Sequence, residues 1–337
     1  MILKINMEAS FCPKRIVDYH SMIKKFFADY FFVLGYQEHT PAPIISFDDR
    51  SVRFTGSTTN VFKPYILNNS LIPKRRLFII QRCLRTQNAK SFWDNNIFPE
   101  WGSYFTEMGL IASSDSIMSL TIDSIKYFIN TLKIESEKMC LRVSSRDKDL
   151  LKCTRQMPLE TKIDDMPAKH YRHKYGLPGV LGRNFNFGIK NSETSTIKDI
   201  GTVVLVEKLG EAVAVEMGFG VSTLLARYYN LTDSIEASTI SAVIPFKPGF
   251  NSKFADALSA SVIMLKEKVR LSGRDKGRVL RTYLCALRDL SKKAGFSIDD
   301  ILQFAVDYEE LEYKKTSFVA DKILYFLENK EKILVQI

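Results

Sequence analysis

The spacing of apolar residues predicts a helix near the beginning of the chain. In residues 15–34 they recur every three or four positions, as on one face of a helix. The pattern ends at Gly35, a residue type that commonly follows the last turn of a helix. Residues 40–50 place Pro41 and Pro43 before a short apolar run, which predicts a strand entered through a rigid turn.

The middle of the chain has the pattern of β-strands. Residues 76–85 predict a buried strand and residues 101–111 its antiparallel partner, with a long polar hairpin loop between them. Two Val-rich segments predict another pair of strands that turn at Gly210. The other elements predicted here are a helix over 115–134, strands over 139–145, 198–208 and 210–221, and a helix over 222–229.

The end of the chain is predicted to be entirely helical. The helical segments are 252–270, 275–294, 297–312 and 316–332. The composition changes near Pro245 and Pro248, which suggests a domain boundary. We therefore expect an α+β protein in which residues 1–248 form a mainly antiparallel sheet flanked by helices and residues 249–337 form an α-helical domain.

Composition excludes several classes of protein. Of the 337 residues, 45% are hydrophobic and 26% charged, as in globular proteins rather than disordered or collagen-like chains. No apolar run approaches the ~20 residues that span a bilayer, and the first 15 residues lack the core of a signal peptide. The five cysteines are scattered, without a C-x-x-C pair, which disfavours disulfides and a Cys-rich zinc site. We expect a cytoplasmic protein with free thiols.

The balance of charges favours an anionic partner. Lys and Arg number 48 and Asp and Glu 38, so the formal net charge is +10. Such a charge suits a nucleic acid, a nucleotide or an acidic protein, although a solvated basic surface explains it equally well. Residues 261–295 hold ten basic residues and three acidic ones. That segment is either a surface for a phosphate backbone or the solvated side of a helical bundle.

Residues 81–108 contain the most informative polar pattern. Arg85 closes the sequence QRCLR beside the predicted hairpin loop, and a guanidinium there suits the bidentate binding of phosphate oxygens. Lys90 in the loop would add positive charge. Phe105 on the return strand is placed to stack on a base. The alternative is structural: a surface arginine and a core phenylalanine.

These segments resemble the alanyl-tRNA synthetase family of class II aminoacyl-tRNA synthetases. QRCLR at 81–85, a loop with Lys90 and YFTEMGL at 104–110 stand where the family reads Q-R-C-V-R, a loop with a lysine and F-F-E-M-L-G. Residues 54–63, FTGSTTNVFK, resemble its F-T-N-A-G-M-N-Q-F-K. Weaker matches are DIGTVV at 199–204, EMGFG at 216–220 and GRVLR at 277–281, for E-I-W-N-I-V, D-T-G-M-G and G-Y-V-L-R.

The resemblance implies an ATP-dependent ligase with a class II synthetase-like fold. In such an enzyme ATP binds on an antiparallel sheet, the amino-acid carboxylate attacks the α-phosphorus, and the aminoacyl adenylate then reacts with tRNA. By this likeness Arg85 would hold the α-phosphate with Lys90 in support. Phe105 would stack on the adenine, and Glu107 would belong to the ATP site.

The resemblance also implies residues for the amino acid and for Mg²⁺. Glu216 would pair with the substrate ammonium, beside Thr202 and Gly218. Asp199 and Glu207 would hold Mg²⁺ as hard oxygen ligands. Their spacing along one predicted strand lets both face the same way, although they read equally well as ordinary strand carboxylates.

The helical region is the expected acceptor-binding part. Lys276, Arg278 and Arg281 lie in the segment that resembles the tRNA-binding helices of the family. The family continues into an editing domain and a C-terminal region that we do not find here, so we expect no proofreading within this sequence.

Several departures from the family argue against simple alanine activation. Residues 222–223 are Ser-Thr where the family has Glu-Arg, and that arginine holds the γ-phosphate; Arg227, one turn later, is a possible replacement. Glu216 replaces an aspartate, which brings the carboxylate further into the pocket. Residues 169–176 read KHYRHKYG and lack the family's tryptophan. No third ligand accompanies the histidines of this segment, so no metal site is predicted there.

Three functional hypotheses follow. The first is activation of an amino acid, of uncertain identity, and its transfer to tRNA. The second is activation for transfer to a carrier protein or a small molecule. The third is a pseudo-synthetase that keeps the fold for binding and has lost the chemistry with the arginine replaced by Thr223.

Overall fold

The protein is described by a computed structural model that covers residues 11–45, 52–68, 76–191, 194–245 and 249–336. Its helices are α1 (Ile16–Val33), α2 (Thr58–Leu67), α3 (Ile117–Lys126), α4 (Lys148–Thr154), α5 (Val221–Tyr228), α6 (Phe250–Lys266), α7 (Asp275–Ala294), α8 (Ile298–Tyr313) and α9 (Val319–Gln336). Its strands are β1 (Gln37–Glu38), β2 (Leu77–Leu84), β3 (Tyr104–Ser113), β4 (Met139–Ser144), β5 (Glu160–Asp164), β6 (Arg172–Lys174), β7 (Val180–Lys190), β8 (Ile197–Lys208) and β9 (Glu211–Gly220).

These strands form one mixed sheet that is mainly antiparallel. The strand order is β1-β2-β3-β9-β8-β7-β4-β5, and β6 pairs with the beginning of β7. The β1–β2 and β4–β5 pairs are parallel and the other neighbours antiparallel. One row across the central strands consists of Gly109, Gly218, Thr202 and Asn186. This row forms the floor of the cavity described below.

Helices cover the two faces of the sheet unequally. The long helix α1 buries its apolar stripe on one face, where the ring of Phe27 lies 5.7 Å from that of Phe219 on β9. On the other face Phe62 and Ile66 of α2 belong to the same apolar cluster as Val204 of β8. Because α2 is short, this second face stays open over β3, β9, β8 and β7. The open area is where the cavity lies.

The last four helices have an apolar core of their own, which is continuous with one end of the sheet. Leu258, Leu280 and Leu284 are fully buried between these helices. Phe92 and Tyr104, which flank the hairpin between β2 and β3, belong to the same apolar cluster. The helical region thus packs directly on that hairpin.

The predicted α+β fold class is confirmed: a mainly antiparallel sheet flanked by helices is followed by a helical region. The helix over 15–34, the strands over 76–85, 139–145 and 198–221, and the C-terminal helices are all present with small shifts at their ends. The antiparallel partner predicted over 101–111 runs over Tyr104–Ser113. The proposed boundary falls partly on residues 246–248, which lie outside the described residues.

Other predictions were wrong or incomplete. Residues 41–44 form no strand and Ile45 makes only a single bridge with Phe54, while residues 46–50 of this predicted strand lie outside the described residues. The sequence did not reveal α2, which carries Pro64 inside the helix, nor β5, β6 and β7. In the segments that the structure describes, no helix is long and apolar enough to cross a membrane.

Candidate active site

A cavity of about 380 Å³ lies on the open face of the sheet. This volume is within the ~300–1,000 Å³ range of small-molecule sites. Its floor is formed by β3, β9, β8 and β7, and its rim by the N-terminus of α2, the β6 segment and the first turn of α5. Seven of the predicted site residues line it: Arg85, Phe105, Glu107, Asp199, Thr202, Glu216 and Gly218.

Arg85 is held at one end of the cavity by three neighbours. Its Nε donates to the Gly56 carbonyl at 2.6 Å, and its Nη2 lies 3.5 Å from Glu107 Oε1. The guanidinium carbon is 4.8 Å from the ring centroid of Phe105, in cation–π contact. Glu107 is fixed in turn, because its Oε2 accepts from the backbone N–H of Thr58 at 2.8 Å. A cation is therefore presented beside an aromatic face, which suits a nucleotide phosphate and its base.

Glu216 supplies a buried carboxylate at the other end. Its side chain accepts a hydrogen bond from Thr59 Oγ1 at 2.8 Å through Oε2, while the buried Oε1 has no hydrogen-bond partner. Burial, with a smaller contribution from the Glu107 charge, raises the pKa of Glu216 to about 7, although the neighbouring hydroxyls of Thr59 and Tyr175 oppose the shift. Burial, and next the charge of Glu216, also raise the pKa of the Tyr175 phenol. An unpaired buried carboxylate oxygen is costly, so this end of the cavity suits a ligand that carries an ammonium group.

A ladder of polar side chains crosses β7 and β8 beside Glu216. Asn184 Nδ2 donates to Asn186 Oδ1 at 2.8 Å, and Asn186 Nδ2 donates to Asp199 Oδ2 at 2.8 Å. Asp199 also accepts from Arg142 at 2.7 Å and lies 3.3 Å from His170 Nε2. At the near end of the ladder, Asn184 Oδ1 is buried without a partner. The cavity lining therefore includes a second buried acceptor without a partner, separated from Glu216 by Val204 in the row of paired residues.

Two glycines, which have no side chain, also shape the floor of the cavity. A Cβ at Gly109 would lie 2.7 Å from the side chain of Thr58, so only glycine lets the start of α2 approach β3 this closely. A Cβ at Gly218 would lie 3.3 Å from Glu107 Oε1. The close approach of α2 places Thr59 within reach of Glu216.

Two predicted ATP-site residues lie outside the cavity. Lys90 is exposed in the hairpin between β2 and β3. Glu207 lies on the opposite face of the sheet from Asp199, where its Oε1 accepts from Arg183 Nη2 at 2.6 Å. The spacing argument for a shared face was wrong because the register of β8 against β7 shifts near Ile200, and the extra residue reverses the alternation of faces.

The proposed Mg²⁺ pair is therefore not assembled. Asp199 is occupied by Arg142 and Asn186, and Glu207 by Arg183. These two carboxylates do not fit one ion, and we derive no step through them. Across the described part of the chain, no cluster of three or more His, Cys, Asp or Glu side chains is arranged to hold a metal.

The replacement suggested for the family's γ-phosphate arginine is also absent from the cavity. Thr223, in the position of that arginine, lines the cavity at the first turn of α5. Arg227 lies one turn further along and faces elsewhere, where its Nη2 donates to Glu100 at 2.9 Å. The remaining basic groups of the cavity are on the β6 side: His170, His173 and Lys174.

The predicted acceptor-binding residues occupy a separate surface. Lys276, Arg278 and Arg281 lie in the first two turns of α7, and none of them lines the cavity. Arg278 is exposed and Arg281 half-buried. Their role in binding an acceptor stays a prediction.

The sequence missed some polar residues of the cavity. Thr59 lies in a segment that resembles the family and Tyr175 in one that departs from it, but nothing local marked either as a neighbour of Glu216. Asn184 and Asn186 carried a usable signal: they alternate with apolar residues, the period of a strand with one polar and one apolar face. That strand was not predicted.

Comparison with solved structures returned aminoacyl-tRNA synthetases. The asparaginyl-tRNA synthetase from Pyrococcus horikoshii complexed with asparaginyl-adenylate has 11% identity and a TM-score of 0.42, over 67% of this chain and 68% of that one. The pyrrolysyl-tRNA synthetase PylSc from Desulfitobacterium hafniense has 11% identity and a TM-score of 0.40, over 64% and 70%. The histidyl-tRNA synthetase from S. aureus has 9% identity and a TM-score of 0.39, over 68% and 74%.

Two comparisons at the level of sequence returned no match. No protein-family model matches the chain, and no curated protein is significantly similar to it.

Proposed function

We propose that this protein activates an amino acid with ATP to form an aminoacyl adenylate and transfers the aminoacyl group to tRNA. The observation that carries the proposal is that the two ends of one cavity suit opposite kinds of chemical group. Arg85 and Phe105 offer a cation and an aromatic face at one end, and Glu216 offers a buried carboxylate with a free oxygen at the other. An α-amino acid and a nucleotide present the complementary groups.

The chemistry that this arrangement supports is an in-line displacement. A carboxylate oxygen of the amino acid attacks the α-phosphorus of ATP, the bond to the bridging oxygen breaks, and pyrophosphate leaves. Glu216 anchors the ammonium, so the carboxylate is directed along the floor toward Arg85. Arg85 stabilises the charge that develops on the α-phosphate oxygens. A hydroxyl of the acceptor then attacks the carbonyl carbon, and AMP leaves.

Binding of the adenine requires a rearrangement of Arg85. Its guanidinium covers the ring of Phe105, the surface on which the base would stack. The arginine side chain is 41% exposed, and to turn toward a phosphate it would leave Phe105 and weaken its contacts with Gly56 and Glu107. In this rearrangement Arg85 gives up its cation–π contact with Phe105 and gains a charge-assisted hydrogen bond to the phosphate, while the base stacks on the ring. Binding of the base and binding of the phosphate are therefore linked.

Specificity for alanine is not part of the proposal. The family's aspartate is replaced by Glu216, and Tyr175 and His173 stand in the segment that lacks the tryptophan. Asn184 Oδ1 adds an acceptor that an aliphatic side chain does not satisfy. We expect a substrate other than L-alanine.

A pseudo-synthetase is the second candidate, and Thr223 favours it. A threonine cannot replace the charge of the arginine at the γ-phosphate, and Arg227 lies outside the cavity. In that case the protein binds an amino acid or nucleotide without catalysing adenylate formation.

The decisive experiment is ATP–pyrophosphate exchange with a panel of amino acids, L-alanine among them. We expect exchange with at least one amino acid and less with L-alanine. Arg85→Ala should cost at least ~2 kcal/mol of transition-state stabilisation, roughly a thirtyfold loss of rate. Arg82→Ala is the matched control, because Arg82 lies three residues before Arg85 at the end of β2, is similarly exposed at 38% and pairs with Glu267 outside the cavity.

The outcomes separate the candidates. Wild-type activity in Arg85→Ala would refute the role of this arginine. No exchange with any amino acid, together with retained binding of ATP, would favour the pseudo-synthetase. Incubation with bulk tRNA and detection of an acid-precipitable aminoacyl product then distinguishes tRNA charging from transfer to a carrier protein or small molecule.

A further inference from the structure

Two charged residues of α6 are buried against the hairpin loop, by which we mean residues 85–103 between β2 and β3. Lys253 and Asp256 lie one helical turn apart and are 0% and 1% exposed. Isolated buried charges are expensive, and a pair of apolar residues of similar size would often be at least as stabilising. What each side chain contacts shows a more specific role.

Asp256 binds both ends of the hairpin loop. One carboxylate oxygen accepts from the backbone N–H of Ser103 at 2.5 Å. The other accepts from the Ser103 hydroxyl at 2.8 Å and from Asn88 Nδ2 at 3.0 Å. The carbonyl of Ser103 in turn accepts from the backbone N–H of Arg85 at 2.8 Å. A single residue, Ser103, thus connects the Asp256 carboxylate to the backbone of the proposed catalytic residue Arg85.

Lys253 binds the middle of the same loop. Its ammonium donates to the Ser91 carbonyl at 2.8 Å and also to the carbonyl of Asp94. It lies 4.3 Å from the ring centroid of Phe98. These carbonyls lie at and just after the end of a short 3₁₀ helix, outside the β-ladder, so the lysine supplies hydrogen bonds that the sheet does not.

Helix α7 reinforces the same attachment. Tyr283 Oη lies 2.7 Å from Ser103 Oγ, and both atoms are buried. Trp93 Nε1 donates to Asp289 and Lys293 Nζ donates to Asn95 Oδ1, at 2.9 and 2.8 Å. The hairpin loop is therefore bonded to two helices of the helical region along most of its length.

We propose that Lys253 and Asp256 are positioning residues that hold the hairpin loop so that Arg85 and Phe105 meet the nucleotide. This inference rests on the proposed function for its catalytic consequence, but not for its structural one. Removal of either side chain frees the loop, so Arg85 keeps its contacts with Gly56, Glu107 and Phe105 but loses the support of the loop that follows it. The helices α6 and α7 are in this view part of the adenylation machinery as well as a surface for the acceptor.

Hydrogen–deuterium exchange of the whole chain tests the structural part. We expect peptides from 86–101 to exchange at least about tenfold faster in Lys253→Met and Asp256→Ala, with little change in α8 and α9. Glu309→Gln is the matched control: Glu309 is 0% exposed and pairs with Lys266 of the same helix α6 at 2.7 Å, away from the loop. It should loosen the helices and not the loop. Asp256→Asn, which keeps one acceptor oxygen, covers the case in which Asp256→Ala does not fold.

Steady-state kinetics of ATP–pyrophosphate exchange test the catalytic part. We expect kcat/KM for ATP to fall by about ten- to a hundredfold in Lys253→Met and Asp256→Ala, because misplacement of a catalytic group by an ångström has effects of this size. KM for the amino acid should change little. Lys253→Arg and Asp256→Asn should recover part of the loss, and Glu309→Gln should keep wild-type kinetics.

The results can overturn the inference in two ways. The hydrogen–deuterium exchange of the loop could stay unchanged, or it could rise only together with that of all of α6–α9, as in Glu309→Gln. Either result would show that these residues merely stabilise the helical region. A loosened loop with wild-type kcat/KM for ATP would show that they do not position Arg85. Absence of exchange activity in the wild type would refute the proposed function alone, since the loop measurement still decides the attachment.

Discussion

At Glu216, stability of the folded protein and binding of an ammonium group favour opposite protonation states of one carboxyl group. One carboxylate oxygen is bonded to Thr59 and the other is buried without a partner. Burial raises its pKa to about 7 from an ordinary value of 4.5, so the folded protein favours the neutral carboxyl group. A bound ammonium would reverse this preference, because an adjacent positive charge favours the ionised form.

Replacement of this carboxyl group should change how stability depends on pH. The folded pKa lies above the unfolded one, so the contribution of Glu216 is complete below about pH 4.5 and is lost as pH rises through about 7. Glu216→Gln does not titrate, and its stability relative to wild type should therefore improve over this range by up to ~3 kcal/mol. Urea unfolding at pH 4.5, 6 and 8 measures the difference.

The control for this experiment is Glu310→Gln, whose carboxylate is exposed on α8. It should follow the wild-type pH profile. A Glu216→Gln variant whose stability parallels wild type from pH 4.5 to 8 would mean that the buried carboxyl group is not destabilised by ionisation in the folded state.

At the scale of elements, close approach between neighbouring strands and helices shapes the cavity. The strand β6 runs against the start of β7, where His173 faces Gly182. A Cβ at Gly182 would lie 2.5 Å from Val204 Cγ1 and 3.0 Å from the Cβ of His173. The absence of a side chain there lets β6 bring His173 to the rim of the cavity.

Gly182→Ala should therefore overpack this junction. We expect a loss of about 1–3 kcal/mol in the free energy of unfolding, the usual cost of an added methyl group in a well-packed site. Gly56→Ala serves as the comparison, because the nearest atom to its Cβ would be 3.5 Å away in ordinary contact. Denaturant titration of both variants measures the effect, and equal stability of the two would contradict the packing argument.

At the scale of the whole molecule, the surface proposed for the acceptor and the cavity are different parts of the protein. Residues 261–295 concentrate positive charge, and the apolar positions of α7, such as Tyr283 and Leu287, are fully buried on its other side. Some of the positive charge is neutralised locally, as where Lys266 pairs with Glu309 at 2.7 Å. We propose the basic start of α7, where Arg278 is exposed, as the part of this surface that would meet a phosphate backbone.

Reversal of charge there should weaken tRNA binding and spare activation. With Lys276, Arg278 and Arg281 changed together to Glu, we expect a lower affinity and a log–log salt dependence shallower by about one unit for each phosphate that is no longer neutralised. ATP–pyrophosphate exchange should stay near the wild-type rate, because none of the three lines the cavity. Filter binding of bulk tRNA over a salt titration measures the affinity and the slope.

A second triple variant controls for the change in net charge. It reverses three partly exposed lysines that lie elsewhere on the surface: Lys25, Lys138 and Lys162. This control should retain most of the affinity. Equal loss in both triple variants would mean that net charge, and not the start of α7, governs binding.

The sequence by itself determined the elements whose signals are local. The apolar stripe of α1, the Val-rich hairpin of β8 and β9 with its turn at Gly210, and the four C-terminal helices were all predicted from residues close in the chain. Gly210 and Gly35 adopt positive φ angles of 89° and 83°, as turn and helix-end glycines do. Arg85, Phe105 and Glu216 were also identified from sequence, and the structure brings them to one cavity.

The tertiary structure decided everything that depends on contacts between distant residues. The bulge in β8 sends Asp199 and Glu207 to opposite faces, and its register is set by pairing with β7 rather than by the spacing of the two carboxylates. Thr59 reaches Glu216, 157 residues away, only because α2 packs closely on the sheet. Lys253 and Asp256 lie in a segment that was predicted only as a helix, and the packing of α6 on the hairpin loop buries them. Local periodicity determines which residues form a helix or strand, whereas burial and partner choice depend on which elements meet.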